Sequence, residues 1–463
     1  MSVLVDRLRD AIRSGSAVGR RPDASGADGP GDGTSDAGRT GTDGSAAVLS
    51  DRASGADAVG GRADARAADV LGGDWRECRG HRYLVVDRSY LPGHRHGRVP
   101  LADCVPPVEG WPALHLLGGV PEASVAGPSL LFVDLETTGL AGGAGTYAFL
   151  VGCAWFDGGR FRVRQFFLSN PAAERAMLEE VTELAGASDV VVTFNGRTFD
   201  LPLIETRYLY HRLVTPFAEM PHVDMLHPAR RLWRETDETG EPGSCRLSAL
   251  ERTFCGDLRD GDVPGFEIPA RYFQFVRTGD AGGLEAVLEH NRLDLLSLAL
   301  LLARAGVLLT EGPAGARSTR EALGLGQLYE RAGRREDARA AFRRAAALDE
   351  AGRVSGDTRS RAEALRALAL LERRERRYAD AAEAWRRLLE LPRLPAQLAR
   401  DALDALAVHH EHRARDLDAA RAFAQQALDC QTSAARHRAA RHRIARLDRK
   451  LGVPTPPGGH ELF

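Results

Sequence analysis

Two acids interrupt an apolar run in residues 129–140, which read S-L-L-F-V-D-L-E-T-T-G-L. Asp134 and Glu136 stand two positions apart, and alternate side chains of a strand share a face, so their carboxylates lie side by side. Adjacent carboxylates repel unless a cation or a shared proton relieves them. A divalent ion bound by oxygen ligands is one such relief. Thr137, Thr138 and Gly139 follow as a turn that would offer hydroxyls and backbone N–H groups beside that ion. The plainer alternative is that Asp134 caps a turn and Glu136 lies in solvent.

Three more acidic signals lie downstream. N-G-R-T-F-D (195–200) ends an apolar stretch, and a strand end running into a helix is where α/β sheets collect ligands. Asp200 would stand at that helix start, as a ligand or as a simple N-cap, and Asn195 would fix the turn. Asp224, in H-V-D-M-L, follows another short apolar stretch and suits a supporting role. E-H-N-R-L-D (289–294) opens the apolar helix L-L-S-L-A-L-L-L. His290 and Asp294 are four residues apart and share a helical face. An acid in so apolar a helix is costly unless it is paired or bound to metal. His290 is either a participant in the chemistry or a satisfied buried histidine.

Positioning these acids requires a particular order of elements. Leu130, Leu131, Phe132 and Val133 form a buried central strand. Residues 146–156 and 160–168, joined by Asp157-Gly158-Gly159, read as a hairpin. Pro171 opens a helix to Ala185 with Met177, Leu178, Val181 and Leu184 inward. Residues 189–194 form a second buried strand, 200–213 a helix, the neighbourhood of Val223 a short strand, and 247–254 and 284–309 further helices. This β-β-β-α-β-α-β-α-α order predicts an α/β domain whose mixed sheet is flanked by helices. Its antiparallel opening separates it from a fully parallel dinucleotide-binding fold.

The remaining chain divides by texture. Residues 1–13 place Leu4, Val5, Leu8 and Ile12 on one helical face, as a short docking helix or a frayed end. Residues 14–69 are Gly, Ala, Ser, Asp, Arg and Thr for the most part, too poor in large apolar groups to offset the entropy of ordering, and read as a disordered tether. Residues 70–128 form an extension packing on the core, with a strand at 83–86. In it His94 and His96 flank Arg95, as a loop packed on the next domain or as a two-histidine metal site. The α/β domain spans 129–312. Residues 318–451 are helical and repetitive: Leu325, Ala338 and Phe342 recur as Leu368, Ala381 and Trp385, then as Leu406, Ala419 and Phe423. That spacing fits tetratricopeptide-like pairs with connections longer than the usual period of about 34 residues. Residues 452–463 are a tail.

Composition closes several routes. The net charge of −2 gives no global signal for nucleic acid. Lys450 is the single lysine, so a lysine-bearing phosphate loop and a Schiff-base lysine are both excluded. Six scattered cysteines without a C-x-x-C pair argue against a zinc ribbon or disulfide framework and for a reducing, cytoplasmic location. No secretory leader is evident and no apolar run reaches the roughly 18 residues of a membrane span, so no membrane partner is expected.

Taken together, V-D-L-E-T-T-G, N-G-x-x-F-D and an Asp four residues after a His resemble the three exonuclease motifs of the DEDD superfamily. C-R-L-S-A-L-E (245–251), D-V-P-G-F-E-I-P (262–269), E-H-N-R-L-D and the H-R-H-G of 94–97 resemble more closely the YprB-like ribonuclease H-like proteins, predicted nucleases with trailing tetratricopeptide-like repeats. The resemblance implies a ribonuclease H-like domain followed by an all-α helical-repeat domain. It implies that Asp134, Glu136, Asp200 and Asp294 hold two Mg²⁺ or Mn²⁺ ions about 3.5–4 Å apart. His290 would orient or deprotonate the attacking water, and Thr137, Thr138, Gly139, Asn195 and Phe199 would contact the terminal nucleotide. The superfamily pattern has a Tyr four residues before the last Asp or a His five before it; here a His occupies the tyrosine spacing. The implied activity is metal-dependent hydrolysis of DNA or RNA, as a 3′-to-5′ exonuclease. The alternative is a non-catalytic nucleic-acid-binding adaptor that recruits a protein partner through its helical repeats.

Overall fold

The computed structural model describes residues 66–453 apart from 108–110, 112, 122–126, 140–144, 235–242, 257–258, 260, 349–357 and 431–433. The expected helix at 1–13, most of the 14–69 tether and most of the 452–463 tail lie outside the described residues.

The strands are β1 (Asp74–Cys78), β2 (His81–Tyr90), β3 (Arg95–His96), β4 (Val99–Pro100), β5 (Leu130–Thr137), β6 (Ala148–Asp157), β7 (Arg160–Phe167), β8 (Val190–Thr193) and β9 (His222–Asp224). Seven of them form one mixed sheet in the order β1-β2-β7-β6-β5-β8-β9, and β3 and β4 form a separate short pair. β5, β6 and β7 run antiparallel, while β8 and β9 continue from β5 in parallel. The Asp157–Arg160 connection is a tight hairpin. In β7 the alternation of Arg160, Arg162 and Arg164 with buried Phe161 and Val163 turns one face inward. β8 and the Leu130–Val133 half of β5 are buried because the sheet is covered on both faces, while Asp134, Glu136 and Thr137 at the end of β5 are half-buried.

The extension does more than pack on the core. β2 pairs along its length with β7, from Leu84↔Phe167 to Tyr90↔Phe161, and β1 pairs with β2, so residues 74–90 enlarge the sheet itself.

Helices α1 (Glu174–Ala185), α2 (Asp200–Tyr210), α3 (Leu226–Leu232), α4 (Leu247–Cys255), α5 (Ile268–Thr278) and α6 (Glu285–Glu311) flank the sheet. The sequence order had no counterpart for α3 and α5. Each has a proline in its first turns, Pro228 and Pro269, where the missing N–H is tolerated. α6 is buried for most of its length. By length and composition the stretch Gly282–Gly315 could cross a membrane, yet 78% of its most apolar window is buried inside the protein. Its Leu295, Leu298, Leu301 and Leu302 fill the space between the sheet and the helices that follow.

Beyond α6 come three antiparallel helix pairs and a closing helix. They are α7 (Thr319–Arg331) with α8 (Arg335–Ala347), α9 (Thr358–Arg374) with α10 (Tyr378–Leu389), α11 (Ala396–His409) with α12 (Leu417–Asp429), and α13 (Ala434–Leu451). One hydrophobic cluster runs from the sheet through α6 into these helices. At the junction Gly324 lets α7 approach closely: a Cβ there would lie 2.4 Å from the Arg231 carbonyl oxygen. Buried Glu321 accepts from the Trp233 indole at 3.1 Å and from Arg304 at 2.7 Å. The sheet domain and the first helix pair therefore share one core.

Candidate functional site

The sheet reverses its growth at β5, with the hairpin on one side and the parallel strands on the other. Ligand crevices of α/β sheets open at such a point, beyond the carboxyl ends of the parallel strands. Asp134 and Glu136 lie at that end of β5. Asp200 opens α2 just past β8, and Asp224 ends β9. A bulge between Glu136 and Thr137 ends the regular register with β6.

Asp224 organises the crest that carries Asp200. Its Oδ1 accepts the backbone N–H groups of Asn195 at 2.7 Å and Leu226 at 3.1 Å, and its Oδ2 accepts that of Arg197 at 3.1 Å. Asn195 sits in the left-handed region at φ 68°, a conformation Asn tolerates better than most residues. Phe199, just before the helix, is 49% exposed. On the other strand end, Thr137 Oγ1 donates to the Gly139 carbonyl at 3.0 Å. Thr138 Oγ1 accepts from the Tyr147 N–H at 2.9 Å, and its own N–H donates to the Tyr147 carbonyl at 3.0 Å. These two hydroxyls are engaged in shaping the turn.

The third wall is the start of α6, held against β5 by Asn291. Its Nδ2 donates to Asp134 Oδ2 at 2.8 Å and to the Asp134 carbonyl at 3.1 Å. Its Oδ1 accepts from Gln165 at 2.8 Å. Asn291 is fully buried, and room for it comes from Gly152, directly across the strand pair from Asp134. A Cβ on Gly152 would lie 2.2 Å from Asn291 Oδ1.

Asp294 and His290 complete this wall, joined to a loop residue, Arg259. The guanidinium of Arg259 donates to Asp294 Oδ1, to both oxygens of Glu251 at 3.0 and 2.9 Å, and to Asp262 Oδ2 at 3.1 Å. His290 Nδ1 lies 2.7 Å from Asp262 Oδ1. Because an ionised carboxylate only accepts, this closer contact calls for a proton on Nδ1; Arg259 Nη1 lies 3.4 Å from the same nitrogen, and Nε2 is 3.7 Å from Asp294 Oδ2. Behind Arg259, Glu251 accepts from Ser297, and Ser297 lies 2.8 Å from His96 Nε2. The histidines of the 94–97 loop thus serve packing: His96 is buried in this network, and the His94 ring lies 4.6 Å from that of Tyr90.

The electrostatics show that the four acids from three segments act on one another. Burial, then Asp294, Glu136 and Asp200, push the Asp134 carboxyl well above its usual range, with Asn291 pulling the other way. Burial, then Asp294 and Asp200, push Glu136 up as well. Burial and the charges of Asp224 and Asp294 raise Asp200 to about 7. By contrast, although burial opposes it, His96, Arg259 and Ser297 hold Glu251 down to about 2. His290 and Arg259 keep Asp262 below the usual carboxylate range against burial.

Such concentrated negative charge is the condition a divalent cation relieves, and four carboxylates without a thiolate suit a hard ion such as Mg²⁺ or Mn²⁺. No group of three or more His, Cys, Asp or Glu among the described residues forms a ready-made metal cage. Asp294 is drawn to Arg259 on one side. The donor chemistry fits a divalent cation; the spacing is not that of a closed coordination shell.

Three residues that build this site escaped the sequence reading: Asn291, Gly152 and Arg259. Asn291 and Arg259 stand inside or beside stretches already notable, 289–294 and 262–269, but nothing in local spacing tells which side chain they hold.

Residues 131–305 match the family model RNase_H_2, of the RNase_H superfamily, and the α/β part has a ribonuclease H-like fold. Over 372 residues the chain is 29% identical to "Uncharacterized protein YprB" of Bacillus subtilis (strain 168), covering 79% of this chain and 86% of that protein. Among solved structures, it aligns with the family B DNA polymerase from the hyperthermophilic archaeon Pyrobaculum calidifontis at 16% identity and a TM-score of 0.29. That alignment covers 54% of this chain and about a third (34%) of the polymerase.

Proposed function

We propose that this chain is a divalent-metal-dependent nuclease that hydrolyses phosphodiester bonds of DNA or RNA, as a 3′-to-5′ exonuclease of two-metal type. One observation carries the proposal: Asp134, Glu136, Asp200 and Asp294, from three distant segments, lie close enough for burial and mutual repulsion to raise the first three. A carboxylate set kept only for stability would be paired with bases, as Glu251 is; of these four, only Asp294 has such a partner among the described residues, Arg259. The four carboxylates would hold Mg²⁺ or Mn²⁺. When bound, such ions supply charge neutralisation and Lewis-acid polarisation of the phosphodiester.

The remaining roles fall to this chain's own groups. Asp262 holds His290 at Nδ1 and leaves Nε2 on the Asp294 side, where the Nε2 of a neutral ring would accept the proton of the attacking water. A Tyr at this spacing acts through a hydroxyl; a His whose other nitrogen is held by a carboxylate takes the proton itself. Exposed Phe199 offers a face for the terminal base. Asn195, Thr137, Thr138 and Gly139 would frame the sugar and phosphate through the turns they shape. Catalysis is assigned to residues 129–312, in a cytoplasmic protein.

The test is release of mononucleotides from end-labelled single-stranded DNA and RNA with Mn²⁺. Wild type should release them and Asp134→Ala should not; equal inertness of both on every substrate would sink the proposal.

A second proposal, the adaptor, draws on the helical part, assigned as tetratricopeptide-like repeats at 318–451. A groove of about 660 Å³ there is lined by Arg373, Tyr378, Trp385 and His409, with Arg366 and Arg443 paired to Asp401 and Asp404, and suits a largely apolar protein segment with an acidic group for Arg373. On this non-catalytic reading, wild type binds nucleic acid without releasing nucleotides and Arg373→Glu loses the partner alone; nucleotide release that disappears in Asp134→Ala would rule it out.

A further inference from the structure

Two stretches singled out in the sequence, 94–97 and 245–251, gained no role in the chemistry above, yet they converge with Asp262 on one guanidinium: Glu251 and Asp262 bind it, and His96 stands behind Glu251. Arg259 is 10% exposed and makes hydrogen bonds to Glu251, Asp262 and Asp294, and its Nη1 lies 3.4 Å from His290 Nδ1. A guanidinium is a rigid planar fork, so two bonds to one carboxylate fix its plane and leave its other donors aimed. Here the fixing carboxylate is Glu251, buried and itself held by Ser297, with His96 Nε2 3.7 Å away. The aimed donors reach Asp294 on one side and Asp262 on the other, and Asp262 in turn holds the His290 ring.

Charge relief alone does not account for this geometry. A cation serving only to offset repulsion would be expected to face the acids that burial raises most. Arg259 instead spends two bonds on Glu251 and one on Asp262, lies against His290 Nδ1, and sends only one bond to the raised cluster, at its fourth member. Nor is it poised to swing away, since leaving would strand buried Glu251 without its bidentate partner.

We infer that Arg259 is a positioning residue that fixes the carboxyl of Asp294 and, directly and through Asp262, the ring of His290, and that Glu251, Ser297 and His96 form the anchor behind it. Supporting groups of this kind typically change metal affinity by about 10–100-fold when removed. A lysine keeps the charge but loses the fork, which separates positioning from charge compensation.

The experiment compares wild type, Arg259→Lys, Arg259→Gln and Glu251→Gln, each shown by circular dichroism to be folded. The metal-free protein is read by ¹H–¹⁵N correlation of histidine rings, with His290 assigned from the loss of its signal in His290→Gln. Mn²⁺ affinity is read by titration calorimetry. Positioning predicts that Arg259→Lys shifts the His290 ring signals as Arg259→Gln does, and that both weaken Mn²⁺ binding about 10–100-fold. Glu251→Gln should act in the same direction. A wild-type ring signal and affinity in Arg259→Lys would overturn the inference, as would tighter Mn²⁺ binding in Arg259→Gln. Only the calorimetric readout rests on the nuclease proposal. If wild type binds no Mn²⁺, that proposal fails, and the metal-free ring signals still decide this one. If Arg259→Gln does not fold, Arg259→Lys and Glu251→Gln decide it.

Discussion

Replacing Gly152 by alanine tests the placement of Asp134 without touching a proposed ligand. The added methyl would lie 2.2 Å from Oδ1 and 2.7 Å from Nδ2 of Asn291, far inside van der Waals contact. The strand backbone is fixed on both sides by β5 and β7, so the Asn291 amide must move. It then loses a charge-assisted bond to Asp134 at 2.8 Å, a bond to the Asp134 carbonyl at 3.1 Å and one from Gln165 at 2.8 Å. A neutral bond contributes about 1 kcal/mol and one to a charged group about 1.5–3 kcal/mol, so the loss is roughly 3–5 kcal/mol. Freed of its amide partner, the Asp134 carboxyl turns, and a misplacement of about 1 Å in a catalytic constellation costs on the order of 10²-fold in rate. The assay is urea unfolding alongside Mn²⁺-dependent nucleotide release. Gly152→Ala and Asn291→Ala should each lower both stability and rate. In the double variant the methyl fills space the amide has vacated, so its stability loss should fall short of the sum by about 1–3 kcal/mol, while activity stays low. Strict additivity, or full activity in Gly152→Ala, would refute the reasoning.

Further outcomes can be checked with the same protein. Asp200→Asn should reduce nucleotide release at least 10²-fold with its fold retained by circular dichroism, and a chelator should abolish release by wild type until Mn²⁺ is restored. Glu251 has a folded-state pKa of about 2 against an ordinary 4.5. Its lowered value means that its stabilisation, of order 3 kcal/mol, is complete above about pH 4.5 and is lost as pH falls toward 2. Urea midpoints of wild type should therefore drop over that window more steeply than those of Glu251→Gln. Glu411 is buried between Arg446 and Lys450, at 2.6 and 2.8 Å. Arg446→Ala should destabilise α13 by about 1–3 kcal/mol, seen as faster amide exchange in residues 434–451 with no change in nucleotide release. Phe199→Ala should raise KM for single strands by about 10-fold or more, since one base stack contributes about 1–3 kcal/mol, with a smaller effect on kcat.

Much of this protein is written in patterns a few residues long. The apolar runs at 130–133 and 190–193, the Asp157-Gly158-Gly159 turn and the charged–apolar alternation after Arg160 specify strands through periodicity alone. The acids Asp134, Glu136, Asp200 and Asp294 stand out because each interrupts or borders an apolar segment, where a charge needs a reason. Their convergence follows from strand order, because β5 and β8 are parallel neighbours whose ends open on the same edge. Other features belong to the tertiary structure alone. That β2 adds to β7, that α7 is welded to α3 through Glu321 and Trp233, and that Gly152 makes room for Asn291 are relations between residues about 80–140 positions apart. The same is true of Arg259, whose neighbours in sequence do not reveal that it joins Glu251 to Asp294. Local patterns record what a residue needs, burial or solvent or a turn. A buried hydrogen bond records which partner meets the need, and that is chosen by packing across the whole chain, where no short-range period leaves a trace.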